Sequence, residues 1–167
     1  MGWLRQALSP LAIAIVGVAS ALPTTALALS DSLAQRLASA RESLATVDAG
    51  NASSRDAQIR AVERLFDLLD EAEQLETAEA QNVIERDLAL RADDGSIGRA
   101  SALERQARLL YSRRRVADAA LAAERALALQ RGAGDDVADA SIRATLGVVR
   151  ALQAKFGDGA TLLEDAI

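Results

Sequence analysis

The chain has 167 residues, of which 26% are charged, with a formal net charge of −5 and neither histidine nor cysteine. A mildly acidic chain is a poor partner for nucleic acid or for an anionic membrane surface, so neither is expected as a main partner. Without cysteine there are no disulfides, and the usual general base and the thiol nucleophile are both missing.

The first 28 residues have the pattern of a secretory signal peptide. Arg5 is the only charged residue of this segment, residues 11–22 form an almost wholly apolar run, and Pro23 follows it. Ala26 and Ala28 supply the small-x-small pattern that signal peptidase recognises, so cleavage is predicted after Ala28. The apolar run is shorter than the roughly 20 residues that a membrane-spanning helix needs. The sequence therefore predicts a periplasmic or secreted chain, with an uncleaved membrane anchor as the alternative.

The remainder of the chain is predicted to be helical. Proline is absent after Pro23, and apolar residues recur at spacings of three and four. The predicted helices run from a cap at Ser30 or Asp31 to Gly50, from after Ser53 to a turn near residues 75–77, and over about 78–91, 99–112, 116–130, 137–154 and from 158 onward.

Two stretches of the chain match each other at a constant offset of 40 residues, 110–127 and 150–167. A weaker match relates 85–90 to 124–129 at an offset of 39, with Asp87 in place of a buried alanine. Helical repeats of this length are typical of a solenoid of helix pairs, with a generic alanine-rich bundle as the alternative. The predicted organisation is a signal peptide at 1–28, an N-terminal helix at 29–55, a degenerate repeat at 56–91, and repeats at 99–131 and 137–167, the last incomplete at its end.

The repeats resemble the tetratricopeptide repeat (TPR), a pair of antiparallel helices that stacks into a superhelix. The last copy carries the resemblance best, with Leu146-Gly147 in its first helix, Phe156 at the start of the second, Gly159 at the helix crossing, and Leu163 and Ala166 beyond it. Its length resembles the longer variety of roughly 40 to 42 residues. The copies depart from the family pattern in lacking the closing proline and in Gln106 and Arg150.

The resemblance implies a groove lined by the first helix of each pair, where extended peptides or partner helices bind. Tyr111 is the most suggestive anchor, because its rigid ring ends in a polar hydroxyl, although it equally fits packing over the adjoining helix. Residues 113–115, three consecutive arginines, suit either an acidic partner or a solvated turn. The implied groove residues are Ser101, Glu104, Arg108, Tyr111, Ser141, Ala144, Val148 and Ala151.

Catalysis and metal binding are not expected. Asp70, Glu71 and Glu73 are carboxylates of the kind used in glycoside hydrolysis, but few aromatic residues are present to stack a sugar. Residues 93–96 and 135–136 lack the alternating ligands of a calcium loop and suit helix caps instead. No enzyme activity, metal or cofactor is therefore predicted.

The last predicted helix presents an apolar edge formed by Leu162, Leu163 and Ile167. Repeat arrays usually end in a polar capping helix, so this edge indicates a longer exported protein, a homodimer or a capping partner. The sequence as a whole predicts an exported, non-catalytic scaffold for a protein or peptide. The alternatives are the recognition region of a larger exported enzyme and a membrane-anchored structural bundle.

Overall fold

A computed structural model describes residues 24–49, 54–93, 96–131 and 135–167. These ranges contain seven α-helices joined by turns, and no strand lies within them, which confirms the predicted all-α fold of helix pairs. The helices are α1 (Thr24–Ala49), α2 (Arg55–Glu71), α3 (Ala78–Leu90), α4 (Ser96–Ser112), α5 (Val116–Gln130), α6 (Asp136–Leu152) and α7 (Phe156–Glu164).

Helix α1 begins earlier than the predicted cap at Ser30 or Asp31. It starts at Thr24 and runs through Ala26 and Ala28, the two residues of the predicted cleavage site. Alanine and leucine fill most of residues 26–29, and their high helix propensity extends the helix upstream. The apolar run at 11–22 lies outside the described residues. Within the described ranges, no helix is both long and apolar enough to span a bilayer.

The other helix boundaries follow the capping residues. Helix α2 starts one residue later than predicted because Ser54, not Ser53, accepts a hydrogen bond from the Ala57 amide. Thr77 caps α3 and Asp135 caps α6 in the same way, as the turn and loop residues of the sequence indicate. Helix α4 starts three residues before the predicted Arg99, and α7 starts two before the predicted Asp158.

One turn geometry recurs at the end of α2, α4 and α6. Glu73, Arg114 and Ala154 all have positive φ, at 55°, 61° and 60°. In each turn this residue donates its amide to the carbonyl three residues before it, and the next amide reaches five residues back, as in Arg115 to Leu110 at 2.9 Å. These are Schellman motifs, which reverse the chain directly after a helix. The helix pairs α2–α3, α4–α5 and α6–α7 are therefore three copies of one unit.

The first pair differs from the second in the length of its turn. Three more residues separate the positive-φ position from the next N-cap in α2–α3, where Glu73 is followed by Thr77, than in α4–α5, where Arg114 is followed by Arg115. This explains why the best offset between copies changes from 41 residues in α2 to 39 in α3. The extra segment contributes Leu75, whose side chain is buried.

The core lies between consecutive helices, and each helix packs against the next one in sequence, while α4 also contacts α6. The apolar stripe predicted for α2 is buried except at Ile59, which is partly exposed. Small residues dominate the contact between α4 and α5, where alanine lets the two helix axes approach closely. Buried alanines of these two helices are Ala100, Ala102, Ala107, Ala119, Ala120, Ala122, Ala123 and Ala126.

Candidate functional site

Side chains from α2, α4 and α6 meet along one face of the helix array. The guanidinium of Arg108 in α4 pairs with the carboxylate of Asp70 in α2. The hydroxyl of Thr145 in α6 donates to Glu104 Oε1 in α4 at 2.9 Å. The first helices of the three pairs therefore lie side by side, and we call the surface that they line the groove.

The larger cavity of the groove has a volume of about 350 Å³ and lies between α4 and α6. Tyr111 and Val148 form its rim, with 38% and 40% of their surfaces exposed. Its walls are mostly apolar, and its polar groups are chiefly the paired Asp70 and Arg108. The full lining is Asp70, Leu75, Arg108, Tyr111, Ser112, Ala144, Thr145, Val148 and Val149.

A smaller cavity of about 200 Å³ shares Arg108 with the first and continues the groove toward the start of α4. It is more polar than the first cavity, since several of its lining residues are charged. Ser101 here donates its hydroxyl to the Ile97 carbonyl within its own helix. The lining is Asp67, Ser101, Glu104, Arg105, Arg108, Ala138, Ser141 and Ile142.

Seven of the eight predicted groove residues thus line one of these two adjoining cavities. The exception is Ala151. It lies at the crossing of α6 and α7, where a methyl group placed on Gly159 would come within 3.3 Å of its Cβ. The prediction for Ala151 was wrong because the last pair crosses so closely that its own second helix covers this position.

Arg108 holds α2 and α4 together from inside the groove. Its guanidinium carbon lies 5.5 Å from the centre of the Phe66 ring, within range of a cation–π contact, while its charge is paired with Asp70. Burial lowers the pKa of Arg108, and the nearby Asp67 opposes that shift. Arg108 is therefore part of the wall of the groove rather than a free cation that awaits a ligand.

Glu104 is buried at the floor of the groove, with 7% of its surface exposed. Burial raises the pKa of its carboxyl group, while the hydrogen bond from Thr145 and the charge of Arg105 lower it. A carboxylate in this position is held by its neighbours and presents little surface to a ligand. The sequence placed Glu104 on the correct face but did not indicate its depth.

Three of the groove's α2 residues were missed in the sequence. Asp67 and Asp70 occupy, at an offset of 41 residues, the positions of Arg108 and Tyr111. Continuing the repeat register into α2 would have identified both. Leu75 has no counterpart, because it belongs to the longer turn of the first pair, and no signal in the sequence distinguishes it.

A buried ionic cluster lies beside the groove and connects α2, α3 and α4. Asp87, fully buried as predicted for a position that carries alanine in the next repeat, accepts from Arg91 Nε at 2.7 Å. Its other oxygen accepts from Arg105 at 3.1 Å. Glu63 Oε1 accepts from both arginines, at 2.5 Å from Arg91 and 2.9 Å from Arg105. The two buried or half-buried cations thus share two carboxylates.

The carboxylates considered for glycoside hydrolysis are separated by their partners. Asp70 pairs with Arg108, and Glu71 accepts two hydrogen bonds from the guanidinium of Arg36, at 2.8 and 2.9 Å. Glu73 lies on the exposed turn after α2. The arrangement gives no facing pair of carboxylates. Among the described residues, no group of three or more aspartate and glutamate side chains is placed to hold a metal ion.

Of the three arginines at 113–115, two are engaged within the chain. Arg113 donates to Gln81 Oε1 at 2.8 Å and to the Thr77 carbonyl at 2.6 Å. Arg115 pairs with Asp118. Only Arg114 extends from this turn without an ion pair in the described part of the chain, so the segment does not form a triple-arginine docking site.

The predicted C-terminal edge is only partly apolar and exposed. Leu162 packs against the core, and Leu163 lies over Gly147 with 37% of its surface exposed. The inclusion of Leu162 in the edge was wrong, because α7 turns that residue toward α6. Ile167 is fully exposed, as are most of Phe156 and half of Leu152.

No protein-family model matches the chain, and no curated protein matches it in sequence. Among solved structures, the chain is similar to BtubC (BKLC) from P. vanneervenii, at 20% sequence identity and a TM-score of 0.59. The match covers 80% of this chain and 55% of that one, so the chain spans little more than half the length of this neighbour. At this identity the similarity supports the helical fold.

Proposed function

We propose that the chain is an exported TPR-like scaffold without catalytic activity, which binds a protein or peptide segment in the groove of α2, α4 and α6. The observation that carries the proposal is the convergence of groove residues from separate repeats. Seven residues named from the repeat register line two adjoining cavities. A continuous concave surface with an exposed tyrosine and valine at its rim is typical of a peptide-binding site.

The helix pairs, their common turns and the 40-residue spacing support the TPR-like part of the proposal. Repeats that contact only their neighbours build extended surfaces, and such surfaces commonly recognise partner chains. The groove offers an apolar cavity and paired charges, with no unpaired nucleophile or facing carboxylates among the described residues. These features suit recognition better than chemistry.

Site-specific photo-crosslinking in the producing cell tests the proposal. A photoreactive phenylalanine analogue is placed at Tyr111 or Val148 in the groove, and at Leu121 as the control. Leu121 lies on α5 outside both groove cavities and is 52% exposed. We expect a defined protein adduct from the two groove positions and none from Leu121. Equal adducts at all positions, or none at any, would contradict a groove-specific scaffold.

Export remains part of the proposal and rests on the N-terminal sequence. Cleavage after Ala28 would remove the first five residues of α1, 24–28, and retain Leu37 and Ala40, its buried residues. A mature N-terminus at Leu29 in the periplasmic or secreted fraction is the expected result. An intact N-terminus in the membrane fraction would favour the anchored bundle instead.

The homodimer through the C-terminal edge also remains a proposal, now with Leu163 and Ile167 as its residues. Their counterparts one repeat earlier, Ala123 and Leu127, are buried where α6 packs on α5. Light scattering over a range of concentrations is expected to show a dimer that Ile167→Glu weakens. A chain that stays monomeric at all concentrations would remove the dimer from the proposal.

A further inference from the structure

The apolar cavity of the groove is shaped to take one bulky apolar side chain. It has a volume of about 350 Å³, and Leu75, Val148 and Val149 supply apolar walls. Asp70 and Arg108 pair with each other at its side, so the cavity presents no unpaired charge that a ligand would have to neutralise. Burying an apolar group here gains the hydrophobic contribution without leaving a desolvated charge.

Unpaired acidic residues lie on both sides of that cavity. Asp67 lines the smaller cavity on one side, and Glu73 and Glu76 line a third cavity, of about 340 Å³, on the other. All three are exposed, and none forms an ion pair in the ranges that the structure describes. Tyr111 lines both the apolar cavity and the third one, so the three cavities form one continuous surface.

The basic residues of the same surface do not balance these carboxylates. Arg105 is engaged by Asp87 and Glu63, and Arg108 by Asp70. The remaining base is Arg114, which lines the third cavity. The three cavities together are lined by five acidic residues (Asp67, Asp70, Glu73, Glu76 and Glu104) and three arginines (Arg105, Arg108 and Arg114), a formal charge of 3 − 5 = −2.

We infer that the groove selects a partner segment in which one bulky apolar residue is flanked on both sides by lysine or arginine. The inference rests on the proposed function, because it names the chemistry of the segment that the groove takes. The apolar residue enters the cavity beside Tyr111 and Val148. The flanking cations face Asp67 at one end and Glu73 with Glu76 at the other. Charges at the rim of an interface steer association and set specificity, while the central apolar contact supplies most of the affinity.

The test is selection of a random extended-peptide display library on the 167-residue chain, followed by binding titrations of an enriched peptide. The expected consensus has a single leucine, isoleucine, methionine or phenylalanine with basic residues before and after it. Replacing the basic residues of that peptide by glutamate is expected to weaken binding at least tenfold. The same peptide should lose affinity as salt is raised, because rim charges are screened.

Two variants of the chain separate the inference from the proposed function. The triple variant Asp67→Asn, Glu73→Gln, Glu76→Gln keeps the shape of the rim and removes its charge. It should weaken the enriched peptide about tenfold and flatten the salt dependence. Val148→Asp should abolish binding of any groove ligand, whatever its charge, while Leu121→Asp on α5 should leave binding unchanged.

Each remaining outcome has a distinct meaning. An acidic or uncharged consensus that Val148→Asp abolishes would overturn the inference and leave the groove as a binding site. Unchanged affinity in the triple variant would do the same. No enriched consensus, or one indifferent to Val148→Asp, would overturn both the inference and the proposed function.

Discussion

Arg105 in α4 and Asp87 in α3 form an ion pair across two neighbouring repeats, with 3.1 Å between NH1 and Oδ2. The aspartate side chain is fully buried, and 14% of the arginine side chain is exposed. In the next repeat the equivalent position is Ala126, which needs no partner. The first repeat therefore replaces an apolar contact by a charged one that depends on several residues at once.

Asp87→Ala is expected to lower the free energy of unfolding by about 3 kcal/mol, because Arg91 and Arg105 would remain buried with Glu63 as their shared partner. Glu71→Ala is the matched control. It removes a carboxylate from an ion pair with Arg36 that is about half exposed, and should cost less than about 1 kcal/mol. Urea unfolding of both variants measures the difference. Equal losses would show that the buried cluster adds nothing beyond a surface pair.

Glu104 predicts a pH dependence of stability. Its pKa is raised by burial, so between the ordinary glutamate pKa and the raised value the folded chain binds more protons than the unfolded chain. The contribution of Glu104 therefore destabilises the fold progressively as pH rises through that window. Glu104→Gln keeps an acceptor for the Thr145 hydroxyl and removes this contribution.

We expect Glu104→Gln to be more stable than the parent chain at neutral pH and nearly equal to it below the ordinary glutamate pKa. The measurement is urea unfolding of both chains over a series of pH values, and the difference between them removes the contribution of other groups. One of these is Glu79, whose pKa is lowered by its hydrogen bond to Arg41. A glutamine variant that is less stable at neutral pH would show that Arg108 and Arg105 outweigh burial at this carboxylate.

The sequence predicted the helices and much of the groove because both depend on spacing. Apolar periodicity located all seven helices, and the 40-residue register named seven groove residues correctly. Burial of Asp87 followed from the same register. What escaped depends on interactions between distant residues, such as the Arg108 contact with Phe66 and the depth of Glu104, which only the packed structure brings together. Ala151 and Leu162 were misplaced because the close crossing of α6 and α7 rotates them out of the expected surfaces.

The turn after α6 predicts a stabilising substitution. Ala154 has a φ of 60°, and its Cβ makes this left-handed conformation unfavourable, whereas glycine adopts it freely. Ala154→Gly should raise the free energy of unfolding by about 0.5–1 kcal/mol. Ala128→Gly, at an exposed position inside α5, is the control and should lower it by about 1 kcal/mol. A loss of stability in both variants would contradict the Schellman geometry of the turn.

The crossing of α6 and α7 predicts opposite effects for two glycines of one helix. A methyl group at Gly159 would lie 2.8 Å from the Gly147 carbonyl oxygen and 3.0 Å from the Ala151 amide nitrogen, both of which are backbone atoms that cannot rotate away. Gly159→Ala should therefore push the helices apart and destabilise the chain by about 1–3 kcal/mol. A methyl group at Gly157 would meet nothing within 4 Å, so Gly157→Ala should stabilise α7 by up to about 1 kcal/mol through helix propensity alone. Thermal unfolding of the two variants compares identical chemical changes two residues apart. If both raise the melting temperature, the two helices do not cross at Gly147 and Gly159, and the third helix pair must pack differently.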